Sequence, residues 1–398
     1  MMSLHSRTWH KLAVSTILFG MALAPASAQD TGDVAARLKA TLAEQGFDLE
    51  WTGISGDASS MSLQGVSMKP AGTKEGFTVG EVKLEGITEA DGGYKIETVS
   101  TQAYSRNEGD LGIEMSPFIM HGVVLPAEGS NTALGGLMFY RSAELANLVI
   151  KSEGKTAFSV DDIAIEVTEP ASGQPMTFTG TAPKFTGDLT LVKDPKFKDA
   201  IEALGYQNIS GNIALAGLWN PEDGRMDFSK YDITVDGAGT FGMTFSLGGY
   251  TAELVKSMQE LQKKMAEAPE GADNSAQGMA MLGLMQQLSF NSASIRFADD
   301  SLTNKVLDYV GKQQGMSGKD VANQAKAIVP FGLAQLNNPD LTTQASAAVN
   351  QYLDDPRSLE IMASPTSPVP FAMIMADAMS NPVNLTKTLA VQVKANEN

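Results

Sequence analysis

Hydrophobic and polar residues alternate with a period of two along most of the chain between residues 51 and 248. Residues 241–247 are the clearest case, because Phe, Met, Phe and Leu alternate there with Gly, Thr and Ser. Alternation of this kind predicts strands that bury one face and expose the other to water. Residues 231–235 repeat the pattern, and the Asp-Gly-Ala-Gly segment at 236–239 between the two runs predicts a β-hairpin.

A period of 3.6 residues, typical of helices, occurs before these strands and again in the C-terminal part. Apolar residues at every fourth position predict a first helix over residues 30–45. Ser317 and Asp320 have the spacing of a capping box, which predicts a helix start. Further helices are predicted at residues 195–204, 301–313 and 341–353. The order of elements predicts an α+β fold with a long, mainly antiparallel β-sheet and amphipathic helices concentrated in the C-terminal half.

The N-terminus has the pattern of a cleaved signal peptide. Arg7 and Lys11 precede an apolar run over residues 12–24, and Ala26-Ser-Ala28 supplies the small residues of a cleavage site. The run is too short to span a bilayer, and no later apolar run approaches the required length of about 18 residues. We therefore expect a periplasmic protein, exported by a cleaved N-terminal signal peptide, with no transmembrane segment in the mature chain.

These patterns divide the chain into three expected parts. The signal peptide covers residues 1–28, a β-rich region with an N-terminal helix covers 29–248, and a mixed region of helices and strands covers 249–398. The last two parts can also form one continuous domain. A chain of this length can bury a large core in one or more domains.

Composition narrows the classes of function. The formal net charge of −17 at pH 7 argues against nucleic acid as a partner, because phosphates need a clustered basic surface. The chain has no cysteine, so neither disulfides nor a lipid-modified N-terminal cysteine is possible. We expect a soluble protein that is held together by its core alone.

Catalytic and cofactor motifs are absent from the sequence. Residues 237–242 match the Gly-x-Gly-x-x-Gly pattern, but a strand, rather than the helix that a dinucleotide site requires, is predicted to follow. Beyond residue 28 the only histidine is His121, so a multi-histidine zinc site is excluded. We predict no cofactor, no metal and no catalytic residue. His121 lies in the apolar strand 118–125, where we expect a neutral, buried imidazole packed with Ile119 and Val123.

Methionines are concentrated in one part of the chain. Met258 and Met265 fall in a helical stripe with two leucines, and Met281 and Met285 follow in the next predicted helix. Flexible thioethers suit an adaptable apolar surface, although such stripes are more often ordinary core. These four methionines are the candidate ligand-binding surface.

Several segments of the C-terminal half carry a resemblance to known bacterial proteins. Residues 224–249 and the segment Ser294-Ile-Arg-Phe-Ala-Asp-Asp-Ser-Leu302 resemble the DUF945 and AsmA-like groups, which are envelope proteins with long, repetitive antiparallel sheets. The closing segments 355–359, 365–370 and 389–396 are similar to those of uncharacterised exported proteins of alphaproteobacteria. The resemblance implies a part in lipid handling at the outer membrane and brings no catalytic residues. AsmA-like members keep an N-terminal membrane anchor, whereas the cleavage site expected here would remove it.

Two functions remain open at this point. The first is a non-enzymatic envelope protein that binds a lipid-like or apolar ligand, or a protein partner of the envelope. The alternative is a hydrolase that acts on an envelope polymer with a pair of carboxylates, because such pairs come from distant segments that the sequence does not reveal.

Overall fold

The computed structural model describes residues 30–71, 73, 76–130, 134, 137–169, 174–266 and 275–397. The expected signal peptide lies outside these residues.

The N-terminal region consists of one helix and eight strands. They are α1 (Thr31–Glu44), β1 (Phe47–Glu50), β2 (Gly53–Gly56), β3 (Ser60–Pro70), β4 (Phe77–Ala90), β5 (Gly93–Thr101), β6 (Tyr104–Glu108), β7 (Leu111–Met115) and β8 (Phe118–Leu125). Asp30 is the N-cap of helix α1, and its carboxylate accepts a hydrogen bond from the backbone N–H of Gly32.

The middle of the chain adds six long strands. They are β9 (Ser142–Ser152), β10 (Lys155–Val167), β11 (Met176–Asp188), β12 (Asn208–Trp219), β13 (Met226–Val235) and β14 (Gly239–Gly248). A short 3-10 helix (Leu189–Leu191) and helix α2 (Pro195–Leu204) stand between β11 and β12. The predicted hairpin at residues 231–247 is confirmed, because β13 pairs with β14 around the turn at 236–238.

Most helices lie in the C-terminal region, as predicted. Its elements are α3 (Ala252–Ala266), α4 (Ser275–Met285), β15 (Ser289–Asp299), α5 (Leu302–Gln314), α6 (Gly318–Ala334), α7 (Pro339–Asp354), β16 (Ser358–Ala363), β17 (Val369–Pro370), α8 (Phe371–Ser380), a 3-10 helix (Pro382–Asn384), α9 (Leu385–Thr388) and β18 (Val391–Ala395). The capping box is present, because Ser317 and Asp320 each accept a hydrogen bond from the other's backbone N–H.

The described strands form one antiparallel sheet. β1 and β2 both pair with β3, and the sheet then continues through β4, β5, β8, β9, β10, β11, β12, β13, β14, β15, β16 and β18. The β6–β7 hairpin joins through β7 at the far end of β9, and β17 pairs with β15 beyond β16. The predicted α+β class with a long antiparallel sheet is confirmed. The sheet continues across residue 249, because β15 pairs with β14.

The register of the long strands places mainly apolar side chains on one face of the sheet and mainly polar side chains on the other. Opposite residues in one row, from β11 to β18, are Phe178, Gly217, Phe228, Phe245, Ala293, Ala363 and Val391. A row that faces the other way contains Thr181, Ala214, Asp232, Gly242, Arg296, Glu360 and Lys394. We name the first side the inner face and the second the outer face.

Helices cover the inner face near both ends of the sheet. Val34, Ala35 and Leu38 of α1 are buried in one core with strands β1 to β5 and β8. At the opposite end, Ala348 and Tyr352 of α7 pack against β15, β16 and β18. Burial of these apolar side chains is the main stabilising contribution to the fold at each end.

Helix α3 shares a cavity with helix α1. Ala40 and Ala43 of α1 line this cavity, of about 500 Å³, together with Lys256 and Gln259 of α3. The first helix of the N-terminal region and the first helix of the C-terminal region therefore lie close together.

Candidate functional site

The four methionines of the candidate surface lie on two helices and differ in their exposure to solvent. Met258 is half-buried on α3 and Met265, near the end of the same helix, is 40% exposed. Met281 and Met285 of α4 are half-buried. Helices α3 and α4 contact each other, and α4 also contacts α8. The structure therefore brings the helices together, but the buried positions of the α3 stripe are its two leucines, Leu254 and Leu261.

A different apolar site lies on the inner face of the sheet. It is a cavity of about 330 Å³ between the β8–β9 connection and strands β10, β11 and β12. Its lining residues are Leu134, Leu137, Met138, Phe139, Tyr140, Ile165, Val167, Met176, Phe178, Leu215 and Trp219. None of these side chains is charged, and their volume and chemistry suit an apolar ligand.

Leu134 and residues 137–140, which lie between β8 and β9, form one wall of this cavity. Phe139 exchanges backbone hydrogen bonds with Val124 of β8, at 2.8 and 3.3 Å, so the segment is held against the sheet. Leu134 and Phe139 are each only 8% exposed. The opposite wall comes from the alternating positions of β10 to β12, which the sequence pattern predicts to share one face.

Aromatic rings extend the apolar surface beyond the cavity. The ring of Phe178 meets Phe228 edge-on, with centroids 5.0 Å apart. Phe228 in turn stacks on Phe245 with centroids 4.5 Å apart. An apolar strip therefore runs from the cavity across the inner face to β14, and the register continues it through Ala293 of β15.

The polar atoms at the cavity wall are neutral. The indole N–H of Trp219 donates a hydrogen bond of 2.6 Å to the carbonyl oxygen of Tyr250, so it does not need a partner in the cavity. Burial raises the pKa of the Tyr140 phenol above its ordinary value, because the charged form would be poorly solvated. The site thus favours the apolar part of a ligand.

His121 differs from the sequence-based expectation. Its side chain is 35% exposed, and the expectation of a buried imidazole packed with Val123 is wrong. Gly122 has φ +62° and interrupts the alternation, so Val123 is fully buried while His121 lies opposite Thr98 and Ser142. Its Nδ1 hydrogen-bonds with the Thr98 hydroxyl at 3.2 Å.

The two imidazole nitrogens of His121 have different neighbours. Nδ1 has the Thr98 hydroxyl as its hydrogen-bond partner, whereas Nε2 lies 3.7 Å from a carboxylate oxygen of Glu144, which is beyond hydrogen-bond distance. The strand prediction for residues 118–125 is confirmed, because β8 lies between β5 and β9.

The described carboxylates with a clearly lowered pKa accept hydrogen bonds at a turn and at the start of a helix. Hydrogen bonds from Ser59 and the backbone of Ser60 lower the pKa of Asp57, and the Ser317 hydroxyl lowers that of Asp320. A general acid in a hydrolase needs a shift in the opposite direction. Within the described ranges, no three side chains of the metal-ligating types converge as a metal site would require.

Comparisons with known proteins identify a relationship for the C-terminal part. A family model with the description "Uncharacterized protein" matches residues 232–396, which run from β13 to the end of β18. This match includes the segment 294–302 and most of the segment 224–249, which resemble the DUF945 and AsmA-like groups, but it does not connect the chain with either group. No curated protein matches the chain. Of the helices described, none is both long and apolar enough to cross a membrane.

Proposed function

We propose that this chain is a non-enzymatic, periplasmic protein of the cell envelope that holds the apolar part of a lipid-like ligand on the inner face of its sheet. The observation that carries the proposal is the uncharged cavity that Leu134 and residues 137–140 form with β10 to β12. The strip of Phe178, Phe228 and Phe245 supports it, because it prolongs the apolar surface across two further strands, β13 and β14.

Binding can be followed through Trp219, which lines the cavity. The probe is a brominated fatty acid, whose bromine atoms quench a tryptophan that they contact. We expect saturable quenching in the full chain, and we expect Trp219→Phe to remove the quenched fraction. In the mature chain, which is expected to begin at Gln29, Trp51 then supplies the emission that remains.

A matched pair of variants tests the position of the ligand. Leu215 and Ala214 are neighbours on β12, but Leu215 lines the cavity while Ala214 belongs to the outer face. We expect Leu215→Gln to weaken binding about tenfold, because a buried amide would lose its hydrogen bonds to water. Ala214→Gln should bind as the unchanged chain does. Equal binding by both variants, or no quenching of Trp219 at all, would overturn the proposal.

Export is tested separately from binding. We expect the protein to be released from cells by osmotic shock and its N-terminus to be Gln29. Recovery only in the cytoplasmic fraction would contradict the periplasmic location without affecting the binding experiment.

A further inference from the structure

Helices α4 and α8 are attached to neighbouring strands of the sheet. β15 follows α4 and β17 precedes α8, and these two strands pair, with Ser289 opposite Pro370. The backbone N–H of Phe371, the first residue of α8, donates a hydrogen bond of 3.0 Å to the carbonyl oxygen of Leu288. The C-terminal end of α4 and the N-terminal end of α8 are therefore held together, and the two helices contact each other.

Both helices carry almost no charge. Every residue of α4 except Ser275 and Gln277 is apolar or glycine, and the same holds for α8 except for Asp377 and Ser380. The Asp377 carboxylate accepts a hydrogen bond of 2.6 Å from the Thr388 hydroxyl. Helices that are apolar around their whole circumference are typical of protein cores and of lipid surroundings.

Neither helix is covered by the rest of the described chain, because none of their residues is buried. At Gly283 of α4 an added Cβ would have no neighbour within 4 Å. The large apolar side chains that are 45% to 86% exposed on the two helices are Met279, Leu282, Met373 and Met379. We name these four side chains the α4–α8 surface. A contiguous exposed apolar surface of this kind marks a place of interaction.

The charges near the α4–α8 surface differ from those of the chain as a whole. Helix α3, which contacts α4, carries three lysines and two glutamates. Helix α9, which contacts α8, carries Lys387. Together with Asp377, the helices α3, α4, α8 and α9 have one more lysine than carboxylates, whereas the chain has a net charge of −17.

One lysine lies directly beside the surface. Lys387 lines the same cavity, of about 380 Å³, as Met373. In the part of the chain that the structure describes, Lys387 takes part in no ion pair. An ammonium next to exposed apolar side chains fits a phosphate that borders an apolar phase.

We propose that the α4–α8 surface docks on a phospholipid bilayer whose lipids carry no net charge. The four apolar side chains enter the boundary between head groups and acyl chains, and Lys387 binds a lipid phosphate. At about 1.5 Å per residue each helix is roughly half as long as the bilayer core is thick, so both helices lie on the bilayer. The inference goes beyond the proposed function, because none of the four side chains lines the inner-face cavity.

The net charge favours an uncharged bilayer over a second copy of the chain. Two copies with a charge of −17 each repel one another, and Asp377 and Lys387 give the surface itself no net charge to offset this repulsion. An anionic bilayer would repel the chain in the same way. A bilayer of zwitterionic lipids has no net charge and still offers phosphates to Lys387.

Sedimentation of the full mature chain with sucrose-loaded vesicles tests the proposal. The vesicles consist of phosphatidylethanolamine and phosphatidylcholine, and in a second series phosphatidylglycerol replaces part of these lipids. We expect the chain to sediment with the first vesicles and to partition more weakly into the second. Met279→Gln with Met379→Gln should lower the partition coefficient about tenfold, because amides favour water over the acyl boundary. Lys387→Gln should lower it about threefold.

Two control variants separate docking from other effects. Phe197 is 65% exposed on α2, which contacts α5, and Phe197→Gln should sediment as the unchanged chain does. Leu215→Gln, which alters the inner-face cavity, should also sediment unchanged, so the outcome is independent of the proposed function. Circular dichroism confirms that each variant is folded.

Two results would overturn the docking proposal. The first is absence of sedimentation with the uncharged vesicles, and the second is sedimentation that the paired change of Met279 and Met379 does not weaken. Analytical ultracentrifugation without vesicles then identifies the occupant. A dimer that dissociates in the paired variant would assign the α4–α8 surface to a second copy of the chain instead of a bilayer.

Discussion

Phe178 and Phe228 lie on strands that are not neighbours, yet their ring centroids are 5.0 Å apart. Gly217 of β12 stands between them, opposite Phe178 on one side and Phe228 on the other. Because glycine has no side chain, the two rings close over it and make contact. An added Cβ at Gly217 would overlap the Phe178 ring and the carbonyl oxygen of Asp227. This glycine is therefore needed for the aromatic strip of the inner face.

The first prediction concerns this glycine. Gly217→Ala should lower the free energy of unfolding by about 2 kcal/mol, because the Phe178 ring and the backbone of β13 must both shift. Denaturant unfolding followed by circular dichroism measures the change. The control is Gly278→Ala in α4, where an added Cβ has no neighbour within 4 Å and alanine favours the helix. Equal stability of the Gly217 variant and the unchanged chain would contradict the close approach over β12.

The second prediction concerns His121. His121→Gln should cost about 1 kcal/mol or less, because the imidazole is a third exposed and glutamine can keep the hydrogen bond with Thr98. Quenching of Trp219 by the brominated fatty acid should be unchanged in the same variant. A loss of several kcal/mol, or a loss of binding, would show that the imidazole has a role that its two contacts do not explain.

Much of the sheet could be predicted from the sequence, because its strands alternate over many residues. The hairpin of β13 and β14 follows from side chains that point to opposite faces with a period of two. The start of α6 follows from Ser317 and Asp320, since a capping box involves only residues three apart. Both features are local, so one segment contains all the information that they require.

The candidate site could not be predicted in the same way. Its walls come from Leu134, from residues 137–140 and from three strands, and their approach depends on the register of the whole sheet. The apolar composition of residues 137–140 was the available signal, but it does not reveal which strands that segment contacts. The expectation that the His121 imidazole is buried is wrong because of a single residue. Gly122 adopts a positive φ and locally reverses which side chains of the strand point to each face.

The third prediction is a dependence of stability on pH. The Ser317 hydroxyl and backbone hold the pKa of Asp320 below its ordinary value of 3.8. A carboxyl whose pKa is lower in the folded state stabilises the fold above its unfolded pKa, and this contribution disappears as the pH falls through the folded pKa. The stability difference between the unchanged chain and Asp320→Asn should therefore be complete at neutral pH and should vanish in strong acid.

Unfolding curves at several values from neutral pH down to about pH 2 measure this difference. The control is Asp199→Asn in α2, because Asp199 accepts no hydrogen bond from the described residues. It should change stability little at any pH. A difference for Asp320→Asn that grows in acid would contradict the capping interaction.

The last prediction uses oxidation to map the methionines. Sulfoxide formation requires access of peroxide to the sulfur, so the rate should follow exposure. Met379 of α8 is 86% exposed and Met279 of α4 is 68% exposed, and these two should react first. Met265, at 40%, should react before the half-buried Met258 on the same helix, and Met61, at 2%, should react last. Peptide mass spectrometry after brief peroxide treatment gives the order.

The oxidation rates also distinguish the inner-face cavity from the candidate methionine surface of helices α3 and α4 as the place of the ligand. Met138 and Met176 line the inner-face cavity, whereas Met279 and Met379 lie on helices α4 and α8 outside it. A bound fatty acid should slow oxidation of the first pair and leave the second pair unaffected, because only the first would be covered. Met379→Leu serves as a control, since removing one exposed sulfur should not change the other rates. Protection of Met258, Met265, Met281 and Met285 instead of Met138 and Met176 would move the ligand from the sheet to helices α3 and α4 and would favour the four methionines of the candidate surface.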